Sequence, residues 1–62
     1  MDIIYQVVIR EATKMIALPF NVGPDGHIEI NENGDLVFHD GHQIIKAFSF
    51  GNWQEVTRIK GN

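Results

Sequence analysis

Three histidines carry most of the chemistry open to this chain: His27, and the pair His39 and His42 that flank Asp40-Gly41 in the stretch FHDGHQ. Imidazole is a common ligand for zinc, copper and nickel, and three imidazoles plus a water is a known zinc arrangement. His27, His39 and His42 are therefore the candidate metal ligands, with Asp40 or Glu29 as carboxylates that would orient a ring from behind. The plainer reading of the same residues is a solvated sheet end beside a turn, and their spacing is not a metal signature. Hydrolytic or acid–base catalysis has less support. No Ser-His-Asp set or paired-carboxylate pocket can be argued, and 62 residues leave little room for a water-excluding cleft. The chain is expected to be non-enzymatic and to carry no cofactor.

A second stretch with functional content is FSFGNW, residues 48–53. Aromatic side chains dominate interface hot spots because they bury much area for little lost rotamer freedom. Phe48, Phe50 and Trp53, with Ile44 nearby, are the candidate partner-binding residues. The competing reading is that these rings close one end of a small core. A nucleobase platform is the weaker functional option, because stacking sites come with a basic groove. The chain has only five Lys and Arg, a formal charge of −3 and a pI near 5.4. Without clustered positive charge neither nucleic acid nor an anionic membrane is an expected partner.

These residues must be held by a domain of limited means. A chain of 62 residues forms one domain and buries only about 60% of the surface its unfolded form exposes. Small domains make up the deficit with disulfides, a metal or oligomerisation. Cysteine is absent, which excludes disulfides and thiolate zinc sites and raises the standing of a histidine site or self-association. No apolar run approaches the roughly 18–20 residues needed to cross a bilayer. The first residues lack a basic flank followed by an apolar core, so a signal peptide is not expected and the cytoplasm is the expected compartment.

Turn signals recur at short intervals: NVGPDG at 21–26, NENG at 31–34, DG at 40–41 and GN at 51–52. Segments rich in Val, Ile, Phe and Thr lie between them, the pattern of an all-β chain. Residues 2–20 are ambiguous. As a helix, Ile4, Val8, Met15 and Leu18 form a stripe broken at Glu11. As a strand, Ile3, Tyr5, Val7 and Ile9 line one face, and their β-branched density favours this reading. A strand–turn–strand hairpin is expected over 1–20, with Pro19 at a strand end or edge.

Turn chemistry then predicts register over 27–60. Gly34 closes a three-residue loop, which places Ile28 opposite Phe38 and Ile30 opposite Leu36. A two-residue Asp40-Gly41 turn places His39 opposite His42, Val37 opposite Ile44 and Asp35 opposite Lys46. A Gly51-Asn52 turn places Phe50 opposite Trp53, Ala47 opposite Val56 and Ile44 opposite Ile59. The expected core face is Ile28, Ile30, Leu36, Phe38, Ile45, Ala47 and Val56.

The resulting expectation is a single all-β domain of five or six antiparallel strands. It is either a four-stranded meander packed on the N-terminal hairpin or a partly open barrel, SH3-like in outline, with no motif that names a family. The leading functional expectation is a small protein-interaction module that binds a partner protein or a second copy of itself. Bacterial and phage accessory or inhibitor proteins include domains of this size and composition, which is analogy only. A zinc-binding domain is the alternative, and a small-barrel nucleic-acid binder the third.

Overall fold

A computed structural model describes residues 1–61 of the chain. The described residues are all-β, with six strands: β1 Ile4–Glu11, β2 Lys14–Asn21, β3 Gly26–Ile30, β4 Leu36–Asp40, β5 Gln43–Phe48 and β6 Trp53–Lys60. They form two three-stranded antiparallel sheets, β2-β1-β6 and β3-β4-β5. The sheets pack face to face and do not close into a barrel.

The N-terminal hairpin forms as its alternation dictates. Tyr5, Val7 and Ile9 point to the core, and Tyr5 and Val7 are buried. Their partners on β2 are Phe20, Leu18 and Ile16. Glu11 pairs with Lys14 across a two-residue loop, in which Ala12 has a φ of 56°. Pro19 lies on β2, an edge strand of its sheet, where its missing N–H breaks no ladder.

The β3–β4 hairpin also follows the expected register, with Ile28 opposite Phe38 and Ile30 opposite Leu36. Its loop is tied by Asn31, whose Oδ1 accepts hydrogen bonds from the amides of Asn33 (3.0 Å) and Asp35 (2.9 Å). Gly34 has a φ of 83°, a conformation that costs a side-chain-bearing residue about 1–2 kcal/mol.

Two expected pairings are overturned. The turn after β4 uses Gly41 and His42, not Asp40 and Gly41: Asp40 pairs with Gln43, and His39 with Ile44 rather than His42. A bulge follows at Ile45, so Phe38 faces Lys46, Val37 faces Ala47 and Leu36 faces Phe48. An inserted residue reverses which side chains face inward. Here it exchanges the small Ala47 for Phe48, whose ring packs edge-on against Phe38 (6.1 Å) and Phe20 (5.6 Å). Aromatic burial wins over regular pairing because a ring removes far more apolar surface from water than a methyl group. Ile45 and Ala47 are consequently exposed and leave the expected core, as does Ile30, 54% exposed.

The second correction concerns β6. It pairs with β1, placing Trp53 opposite Ile9 and Val56 opposite Val7. The meander therefore has three strands, and the pairs Phe50–Trp53, Ala47–Val56 and Ile44–Ile59 do not form. Pairing with β1 gives that strand partners on both sides and lays Val56 and Trp53 against the core. The turn at 49–52 makes the crossing. Asn52 N donates to Ser49 O (2.9 Å), Phe50 N donates to Asp35 Oδ1 (2.8 Å), and Trp53 Nε1 donates to Gly34 O (3.0 Å). These bonds latch the turn onto the β3–β4 loop.

The core is Tyr5, Val7, Val22, Leu36 and Phe38, flanked by Ile3, Ile9, Leu18, Phe20, Ile28, Phe48, Trp53 and Val56. Phe38 is its centre, stacked on Phe20 at 5.0 Å and edge-on to Tyr5 at 5.9 Å. Gly26 opens β3 beside the buried Val22, where a Cβ would collide with the Val22 side chain and its carbonyl oxygen.

Candidate functional site

With Leu36 and Phe38 directed inward, alternation sends Val37 and His39 to the outer face of β3-β4-β5. Their cross-strand partners share that face: His27 and Glu29 on β3, Ile44 and Ala47 on β5. His27 sits directly opposite His39, and the two imidazoles stack at 4.5 Å between centroids and 3° between planes. His39 Nε2 donates to Glu29 Oε1 at 3.0 Å, which fixes the hydrogen on Nε2 because a carboxylate only accepts. The His39 side chain is 14% exposed and that of Glu29 is 58% exposed.

His42 does not join this group. It occupies the exposed turn beyond β4, and Ile44 takes the place opposite His39 where His42 was expected. Among the described residues no three His, Cys, Asp or Glu side chains stand in an arrangement that holds an ion as they are. Nor does a pocket open among those residues. Every buried side-chain nitrogen and oxygen among them has a hydrogen-bond partner, so no orphaned polar atom points at a missing ligand.

The four candidate partner-binding residues separate into two pairs. Phe48 and Trp53 are half-buried and packed against the core. Ile44 and Phe50 are 63% and 76% exposed. Phe50 lies over the loop glycine, since a Cβ on Gly34 would fall 2.7 Å from Phe50 Cδ1. Ile45, absent from the expected contact set, adds a further exposed apolar side chain at the bulge, 42% exposed. No short-range signal marks that bulge; the competition between Ala47 and Phe48 for the core is what demands it.

The edges of the two sheets differ in how they are protected. On β2 Pro19 removes a donor. β6 carries Glu55, Arg58 and Lys60, and its register against β1 is twice interrupted. β3 is five residues long and carries Glu29. Short length, charge and proline are the usual means of blunting an edge. β5 pairs only with β4, and Gln43–Ala47 are all exposed. Its bulge and its one charge, Lys46, are its protection, and Lys46 Nζ leans back to 5.4 Å from the Phe48 ring.

No helix among the described residues is long and apolar enough to cross a membrane. The cations are dispersed: Arg10 and Lys14 flank the β1–β2 loop, Lys46 is on β5, and Arg58 and Lys60 are on β6. No protein-family model matches the chain, and no curated protein and no solved structure matches it.

Proposed function

We propose that this protein is a non-enzymatic protein-interaction module whose contact surface is strand β5 and the turn that follows it. Ile44, Ile45 and Phe50 are the apolar contacts, and Phe48 and Trp53 are the half-buried supports that hold β5 and the turn in place. The observation that carries this reading is the exposure of Phe50 (76%) and Ile44 (63%) beside an unpaired strand edge. Large apolar side chains grouped on a small domain mark interaction sites, and an open edge offers main-chain hydrogen bonds to an added strand. The occupant that best suits the surface is a second copy of the chain. A cysteine-free domain this small gains most from burying apolar surface in an oligomer, and a two-fold axis perpendicular to β5 at its open edge would pair the strand antiparallel with its own copy.

Light scattering at micromolar to millimolar concentration, with chelator present, tests the reading. A mass that rises to that of a dimer is expected. A monomeric mass across the whole range would overturn self-association.

A further inference from the structure

We infer that the outer face of the β3–β4 hairpin is a divalent transition-metal site formed by His27, His39 and Glu29. The inference is independent of the β5 contact surface and concerns different residues. His27 and His39 are direct cross-strand partners, and Glu29 is two residues from His27 on the same face. His39 is adjacent to each of the other two: its ring stacks on that of His27 at 4.5 Å, and its Nε2 lies 3.0 Å from Glu29 Oε1.

Two ligand atoms bound at about 2.0–2.1 Å to one tetrahedral zinc stand roughly 3.3 Å apart. A cation bound to both atoms would replace the proton between them, and the exposed Glu29 carboxylate must swing off the ring's N–H line to admit it. His39 is the fixed member, being largely covered, whereas Glu29 is 58% exposed and His27 is exposed. Convergence requires the His27 ring to turn out of the stack and present a nitrogen to the same point. An exposed side chain makes such a turn between staggered wells at little cost. Two imidazoles and a carboxylate form a donor set suited to zinc, nickel or copper, and water completes the coordination. His42, the third histidine, lies at the turn and is not a ligand in this arrangement.

Zinc alone is the probe, followed by the histidine ring signals in NMR and by thermal melting of the intact chain near pH 7.5. Zinc is expected to shift or broaden the rings of His27 and His39 while leaving that of His42 in place. The melting temperature should rise with zinc concentration and return with chelator. His27→Ala and His39→Ala should each abolish the rise. Glu29→Gln should weaken binding by at least about tenfold, and His42→Ala should change nothing. His27 is exposed, so its variant should fold, which metal-free melting verifies. Rings of His27 and His39 unmoved at millimolar zinc would overturn the site, as would His42→Ala removing the effect as fully as His39→Ala. Unchanged affinity in Glu29→Gln would remove the carboxylate from the ligand set and overturn the three-ligand site.

Discussion

Strands β1 and β5 carry similar apolar content, IYQVVIRE against QIIKAF, yet they have opposite roles. β1 is the central strand of its sheet, paired with β2 and β6, and buries Tyr5 and Val7. β5 is an edge paired only with β4, and five of its six residues are exposed. The number of neighbours, rather than hydropathy, separates them. A strand with partners on both sides has its backbone groups satisfied and its inward side chains roofed by neighbours. A strand with one partner shows its other edge to solvent together with any apolar side chain that the bulge turns outward. The contrast repeats within FSF: Phe48 packs against Phe38 and Phe20, while Phe50, two residues later, is 76% exposed.

The largest test of this division is at the core. Phe38 is fully buried and touches the rings of Tyr5, Phe20 and Phe48. Phe38→Ala should cost about 3–5 kcal/mol, comparable with the whole stability of about 3–9 kcal/mol expected at this length. Denaturant titration should find the variant largely unfolded; a loss below about 1 kcal/mol would mean that the two sheets do not pack through this ring.

A smaller effect is expected where the two regions are joined. Asp35 accepts from Phe50 N and, at 3.4 Å, faces Asn31 Nδ2. Asp35→Ala should cost about 1–2 kcal/mol and speed amide exchange at Phe50 while leaving Val7 protected. Equal loss of protection at both amides would contradict a local latch.

The smallest effect lies in the β1–β2 loop. Ala12, at a φ of 56°, bears a penalty of about 1–2 kcal/mol for the left-handed conformation. Glycine relieves it but adds about 0.5–1 kcal/mol of unfolded-state entropy. Ala12→Gly should therefore stabilise by up to about 1.5 kcal/mol, seen as a higher melting temperature. A lower melting temperature would place the strain elsewhere.

What could be read from the residues alone divides along the same line. The hairpin over 1–20 and the β3–β4 register were legible, because alternation and the NENG loop specify them locally. So was the opposition of His27 and His39, which follows from that register. The place of His42 was not, because the β4–β5 turn is displaced by one residue, to Gly41-His42, and the bulge at Ile45 answers a demand of the core. The partner of β6 was hidden for a related reason: pairing with β1 joins residues nearly fifty positions apart, and no turn residue records it. The four candidate contact residues share one stretch of sequence, and the bulge and the crossing to β1 leave Phe48 and Trp53 half-buried while Ile44 and Phe50 stay exposed.

The most direct test of the central claim is sedimentation of the native chain beside an Ile44→Lys, Phe50→Ser double variant, both with chelator. The native chain should associate to a dimer as concentration rises, and the variant should stay monomeric. Because both positions are exposed, the two proteins should melt within a few degrees of each other at dilution. Equal association of the two, or a variant that unfolds, would contradict a contact surface on β5 and its turn.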